Sequence, residues 1–433
     1  MNLRGWTIAL LAIWGMNAGS RAEQPPDWPA WRGPRADGSV EDGRYPVAFD
    51  AEKCRWKTEL PGRGVSTPIV RDGRIYLTAP VEGKDAVLCF DPSGREAWRT
   101  AFGAEDPGKH RNGSGCNASP VADDDAVFVY FKSGVLAAVS LQGEVRWQTN
   151  LVERFGKANL YWDHGNSPVL TKRHVVMVRI HEGESWVAAF DKQTGELAWK
   201  VPRNYETPVE GDQGYATPLV VQHAGQEAVL VWGAEHLTLH DAASGEVLWW
   251  CGNFNEEQRQ LWPSIATPVV ADEMVVVAHG RNDHGLPRLF GIRLAGSGDV
   301  TAANRAWMRN DVGTFVPSPL ASRGRVMLVG DQGEVECLDP QTGATIWKDR
   351  LPKHRAKFYS SPLLAGNRLY AAREDGVVFV AEVGDDGLRL AAENDMGEPV
   401  IACPVPLGGD LLIRGERHLF CVAAEQGLAA EAP

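Results

Sequence analysis

Apolar residues in this chain come in short runs broken by polar turn residues, and no run keeps a helical period. The pattern is first complete at Thr67-Pro68-Ile69-Val70-Arg71-Asp72-Gly73-Arg74-Ile75-Tyr76-Leu77. A hydroxyl residue and Pro open one apolar run, a polar turn follows, and a second apolar run begins. Runs this short, rich in β-branched and aromatic residues and bounded by Gly, Asp and Asn, read as strands. Further along, Pro120-Val121-Ala122, Ala126-Val127-Phe128-Val129-Tyr130, Gly134-Val135-Leu136-Ala137-Ala138-Val139 and Glu144-Val145-Arg146-Trp147 read as four strands, A to D, of one unit.

The hydroxyl-Pro-aliphatic start recurs at Ser119-Pro120-Val121, Ser167-Pro168-Val169, Thr217-Pro218-Leu219, Thr267-Pro268-Val269, Ser318-Pro319-Leu320 and Ser361-Pro362-Leu363, with a degenerate eighth copy at Cys403-Pro404-Val405. The prolines lie 52, 48, 50, 50, 51, 43 and 42 residues apart. A period in this range marks a repeat architecture, whose units bury a core only by stacking. Thr207-Pro208-Val209 is out of register and reads as loop.

The C-to-D turn is the second repeated feature. Asp91-Pro92-Ser93-Gly94 precedes Trp98, and Asp-to-Gly turns at 191–195, 241–245 and 339–343 precede Trp199, Trp249 and Trp347. Asp bonds its own backbone and Gly supplies positive φ. The Trp four residues beyond can bury about 150–250 Å². Trp98, Trp147, Trp199, Trp249, Trp307 and Trp347 are therefore expected to cement one sheet against the next.

The count closes a ring. Strand D of the eighth unit is missing, while an orphan D-type strand, Cys54-Arg55-Trp56-Lys57-Thr58-Glu59, precedes the first. Pairing the two removes the exposed edges that an open array would leave. The expected fold is all-β: one eight-bladed propeller of four-stranded antiparallel blades over 54–422, its last blade completed by an N-terminal strand. Residues 23–53, dense in Trp, Pro and Gly around Trp28 to Pro34, are expected to be an ordered strap on the first or last repeat, and 423–433 a tail.

Residues 1–22 have the form of a signal peptide: Arg4, an apolar run over 6–16, and Ser20-Arg21-Ala22 before a cleavage point near Glu23. The run is short for a membrane span, and no Cys stands at the cleavage point to carry a lipid. The mature chain is thus expected to be exported, to the periplasm or beyond the cell. A net charge of −12 argues against a nucleic-acid partner. Of the seven Cys, Cys89, Cys337 and Cys421 share one strand register in which other units carry Ala, so they read as small buried core residues rather than metal ligands.

The repeat, Ser/Thr-Pro-aliphatic followed by Asp-x-x-Thr-Gly-x-x-x-Trp, resembles that of the pyrroloquinoline-quinone (PQQ)-like propellers, the quinoprotein alcohol dehydrogenase-like superfamily, and the resemblance covers nearly all of the mature chain. Trp31-Arg32-Gly33-Pro34 is similar to the lead-in of exported bacterial members. The resemblance implies an eight-bladed propeller. It embraces both PQQ dehydrogenases and a non-catalytic propeller lipoprotein of the outer-membrane assembly machinery. The dehydrogenases carry an adjacent Cys pair, a Trp floor and a Glu/Asn/Asp set for calcium and base catalysis. This chain has no adjacent Cys pair and no such set by motif, so no catalytic residue carries over, and fold alone does not assign function.

In a propeller the D-to-A and B-to-C loops share one face. Here the D-to-A loops 101–117, 152–166, 202–215 and 252–265 are long and chemically varied, with a shorter one at 350–359. Function concentrates on loops held by a rigid scaffold. The candidates are His110, Arg111 and Asn112; Tyr161, Trp162, Asp163, His164 and Asn166; Tyr215 and Trp262; Arg281 and His284 in a B-to-C loop; and Arg355 and Tyr359. His110-Arg111-Asn112 and Lys353-His354-Arg355 are basic islands able to hold a carboxylate or sulfate. Tyr161 to Asn166 points toward the channel. Nucleophile, phosphate-loop and dinucleotide motifs are absent. The expectation is a monomeric, exported binding or scaffold protein with a protein, peptide or glycan partner, no metal and no cofactor. The alternative is a periplasmic oxidoreductase using PQQ and calcium in the channel mouth.

Overall fold

The eight phrases fold into eight small sheets closed in a ring, as a computed structural model describing residues 27–423 shows. The 1–22 leader and all but the first residue of the 423–433 tail lie outside the described residues. Each blade runs A to D from the channel outward, as in blade 1: Ile69–Arg71, Arg74–Val81, Lys84–Phe90 and Glu96–Ala104. In blade 8, strands Val405–Leu407, Asp410–Arg414 and His418–Val422 are joined by Trp56–Glu59, which pairs antiparallel with His418–Val422. The chain's first blade strand and its last are therefore neighbours, and the ring closes as expected.

The hydroxyl-Pro phrase has a physical cause. The backbone N–H of Thr67 donates to Ser119 Oγ on the next blade at 2.9 Å, and Ser119 N–H to Ser167 Oγ at 3.0 Å. The belt continues through Ser167 to Thr217, Thr217 to Thr267, Thr267 to Ser318 and Ser318 to Ser361, all within 3.0 Å. Cys403 N–H then closes on Thr67 Oγ1 at 3.1 Å. Each hydroxyl thus takes a buried amide of the preceding blade, and the Pro that follows leaves no further amide to satisfy. One link is missing: Ser361 should donate to the eighth residue, and that residue is Cys403, with no hydroxyl.

The Trp positions lock the rim of the ring. Trp56, Trp98, Trp147, Trp199 and Trp307 each donate Nε1 to a carbonyl in the C-to-D turn of the next blade. Each ring lies on that turn's Gly. Gly195 has φ +72°, and a Cβ there would come within 2.5 Å of the Trp147 ring, so both backbone conformation and space demand glycine. Trp249 and Trp347 differ because the next blades lack this turn. Blade 5 instead carries an insertion whose strand Gly298–Asp299 pairs parallel with Trp249 and Trp250 at the outer edge of blade 4, leaving Trp249 fully buried. Cys89, Cys337 and Cys421 are buried, and burial pushes the Cys421 thiol up to about 12.

The strap does more than pack on one repeat. Trp28 bridges Val70 of blade 1, and Pro29 accepts from Ala122 of blade 2. Arg32, buried, reaches Ser318 O and Pro319 O of blade 6. Asp37 O accepts from Ala321, and Ser39–Val40 pairs parallel with Leu363–Ala365 of blade 7. The strap then crosses toward blade 8: Tyr370 donates to Pro46 O, and Asn394 both accepts from Phe49 N and donates to Val47 O. From Trp28 to Val40 its partners lie at or just before strand A of blades 1, 2, 6 and 7, so this part spans the channel on the face opposite the long loops, and only beyond it do Tyr370 and Asn394, on strands B and D of blade 7, take over.

Thr217→Val keeps the shape of the side chain but orphans the Ser167 amide, and should cost about 1–3 kcal/mol. Cys403→Ser supplies the missing acceptor and should gain about 0.5–1.5 kcal/mol. The midpoint of urea unfolding checks both, and opposite shifts are expected.

Candidate functional site

Because the strap floors one end of the channel, the other end is a blind cup of about 530 Å³ opening on the long-loop face. Trp31 of the strap forms part of its floor, and the belt residues Thr67, Ser119, Ser167, Thr217, Thr267, Ser318, Ser361 and Cys403 ring its wall. Above them stand Tyr161, Trp162, Phe315 and Tyr359 with Leu261, Ile265 and Ile401. The cup therefore offers hydroxyls low down and aromatic and aliphatic surface at its lip.

The lip is built by loops that brace one another. Asp163, buried, accepts from the backbone amides of Lys109 and His110 at 2.8 and 3.0 Å and pairs with Lys132 at 3.1 Å, tying loop 152–166 to loop 101–117. Its oxygens are spent on structure, so it is a clamp. Tyr215 accepts from Trp162 N through its hydroxyl at 3.1 Å, and Gln213 accepts from Tyr161 N at 2.8 Å. Pinned from below, Tyr161 and Trp162 meet edge to face at 4.7 Å yet stay 60% and 42% exposed. Trp162 also meets the ring of His110 at 4.9 Å, and His110 faces Tyr359 at 6.1 Å. On the far lip, Arg281 pairs with both oxygens of Asp283 at 2.9 Å, lies 4.5 Å over the Phe315 ring and donates to Leu261 O. Asp331, buried, accepts from the Phe315 and Val316 amides, and burial pushes its carboxyl up.

Of the candidates read from sequence, His110, Asn112, Tyr161, Trp162, Asp163, Tyr215, Arg281 and Tyr359 line the cup. Arg111, Asn112 and Arg355 meet in an adjoining groove of about 800 Å³. His284 stands exposed beside Asp283 and Arg281. Three candidates turn inward. Trp262 is 2% exposed, held edge-on to His279 and under Arg288. Asn166 is buried and donates to Ala216 O. His164 is buried against Tyr130, 4.7 Å away. Trp31, Phe315, Ile401 and Lys357 were missed; of these only Trp31 had a sequence signal, in its Trp-Arg-Gly-Pro setting.

Several polar side chains of the cup are already committed to the protein itself. Asp163 and Asp331 already accept backbone amides, Arg281 is committed to Asp283, and Cys403 has no adjacent Cys. Among the described residues no three His, Cys, Asp or Glu side chains gather as a metal site, and no helix is long and apolar enough to cross a membrane.

Stretches 39–184, 183–292 and 296–400 match the family described as "Outer membrane protein assembly factor BamB". The chain belongs to that family. It is 27% identical over 353 residues, 79% of each chain, to an outer membrane protein assembly factor BamB of Burkholderia pseudomallei (strain K96243). Among solved structures, BamB from Moraxella catarrhalis superposes with a TM-score of 0.59 at 16% identity, over 85% of this chain and 98% of that one. Quinohemoprotein alcohol dehydrogenase from Comamonas testosteroni superposes with a TM-score of 0.65 at 14% identity, over 93% and 81%. At such identities both share the fold with this BamB-family chain, and the higher score of the dehydrogenase says nothing of its chemistry.

Two loop and strand histidines give this member a pH signature. The rings of His164 and His279 are buried, and burial, helped by Arg179 and Arg288 respectively, pulls both down to about 3. Unfolded, each would titrate near about 6.5. Below that pH the unfolded chain binds protons that the folded chain refuses until about 3, so stability falls with pH at up to about 1.4 kcal/mol per pH unit for each. Replacing both with Phe should flatten the decline in thermal midpoint between pH 6.5 and pH 4 relative to wild type, as calorimetry across that range would show.

Proposed function

We propose that this chain is an exported, non-catalytic propeller that serves outer-membrane protein assembly by holding a protein partner on its long-loop face. The supporting observation is the distribution of exposed apolar side chains. Tyr161, Trp162, Val209 and Leu261 lie together on that face, and Leu261 N donates to Val209 O to join two of the loops. The remaining large exposed hydrophobics, among them Val145, Val247, Met308, Ile346 and Leu390, sit singly on the outermost strands, one to a blade. A patch rimmed by polar residues marks an interaction site, whereas scattered residues do not. Kinship with an outer membrane protein assembly factor supplies the setting, and the leader read from the sequence supplies the route out of the cytoplasm. A periplasmic location and a monomeric propeller belong to the same reading.

The test is genetic complementation. Deleting the gene should lower the amount of β-barrel protein in the outer membrane, and wild type should restore it. Tyr161→Ser with Trp162→Ala should fail to restore it while melting within a few degrees of wild type, because neither side chain is part of the core. Full restoration by this variant would remove the face assignment. A deletion that leaves outer-membrane barrels untouched would remove the assembly role.

A further inference from the structure

The rim of the long-loop face is uneven. The connections into blades 2, 3, 4 and 5 are long, at 105–120, 151–168, 203–218 and 252–268, and those into blades 8 and 1 are short, at 396–404 and 60–68. The wall therefore drops on one side, and the groove of about 800 Å³ lies in that notch. Val65, Asn112 and Ile401 line both groove and cup, so the notch leads into the cup. It also brings together two basic islands far apart in sequence, through Arg111 and Arg355, with Arg63 and Arg414.

Most charge in the groove is already balanced. Arg63 pairs with Glu416, and Arg111 with Glu374, which also accepts from Asn112 and the Lys357 amide. Asp375 is held by both arms of Arg373 and lies 3.4 Å from His354. Two guanidinium groups remain without an acid among the described residues. Arg355, exposed at the lip, makes no hydrogen bond or ion pair, and Arg414, buried, donates only to the uncharged oxygens of Ser66 and Thr78 and leaves Nε unpaired. In a chain of net charge −12, this is a site where positive charge is left over.

We propose that the notch admits an extended acidic segment of the partner protein, its carboxylates at Arg355 in the groove that Arg414 also lines and a following aromatic or aliphatic side chain in the cup. The claim rests on the protein-binding reading of the same face and adds the chemistry of what binds. A blind cup reached through a side notch suits a chain end or loop, since a flat protein surface resting on the high wall would not reach Trp31. Carboxylate recognition by guanidinium is the strong, oriented form of the hydrogen bond, and an anion here would answer charge that burial has left uncompensated. The aromatic lip supplies apolar contact at low entropy cost.

The experiment uses the mature full chain and fluorescein-labelled ten-residue Gly/Ser peptides carrying Glu-Glu and, two to five residues on, Phe. Control peptides carry Lys-Lys for Glu-Glu, or Ser for Phe. Fluorescence anisotropy should show saturable binding of the Glu-Glu/Phe peptide at one spacing at least, weaker by about tenfold or more for either control, and weakened by salt. Arg355→Glu, on an exposed side chain, should keep the wild-type melt and reverse the preference toward Lys-Lys. Equal binding of acidic and basic peptides, or a preference that Arg355→Glu leaves unchanged, would overturn the proposal. So would binding of maltoheptaose that competes with the peptide and ignores Arg355, which would assign the cup to a glycan. If these fail while Tyr161→Ser/Trp162→Ala still loses complementation, the scaffold reading stands and only the peptide chemistry falls.

Discussion

A hydrogen bond from one blade's amide to the next blade's hydroxyl, made seven times around the channel, is the constraint on which the molecule depends. It explains why seven of the eight repeats open on Ser or Thr and why Pro follows. The hydroxyl must face the channel to accept from its neighbour, and the imide behind it brings no amide to satisfy. The belt also sets the angular relation of blades, so the outer Trp rings meet the next turn where a Gly leaves room. Inner belt and outer Trp seats act at the two radii of the ring, each link worth about a kilocalorie on its own, and the closed circle makes them mutually dependent.

The break in the belt falls between Ser361 and Cys403, at the junction of blade 7 with the blade assembled from both ends of the chain. The strap crosses there. Ser39–Val40 extends blade 7, and the stretch through Phe49 is held by Tyr370 and Asn394 before Trp56–Glu59 enters blade 8. The same segment closes the channel from below with Trp31 and Arg32. One piece of chain thus reinforces the weakest junction and turns a through-channel into a cup, which leaves the long-loop face as the way in.

The fold was legible because it is periodic: the spacing of Pro, the Asp-to-Gly turns and the orphan strand at Trp56 each state a local rule many times over. The strap's path was not, since its contacts are backbone hydrogen bonds to blades far off in sequence and leave no pattern in its own residues. Loop position also failed to give side-chain direction. Trp162 and Trp262 looked alike in sequence, yet Tyr215 and Gln213 hold the loop of the first at the lip while His279 and Arg288 draw the second inside. Asp163 reads as a candidate ligand until its oxygens are seen to be spent on the Lys109 and His110 amides. The meeting of Arg111 with Arg355 needed the closed ring, which alone makes distant repeats adjacent.

Site-specific photocrosslinking in living cells tests the central claim, that one face of a strap-closed propeller carries the partner. A benzoylphenylalanine would be placed in turn at Tyr161 on the long-loop face, at Gln222, an exposed residue of strand A of blade 4 that lines a groove with strap residues Arg35 to Asp37, and at Met308 on the outer edge. The account predicts a discrete protein adduct from position 161 and none from 222 or 308. Adducts from 222 or 308 with none from 161 would contradict it, and would move the working surface to the side that the strap now closes or to the outer edge of the blades.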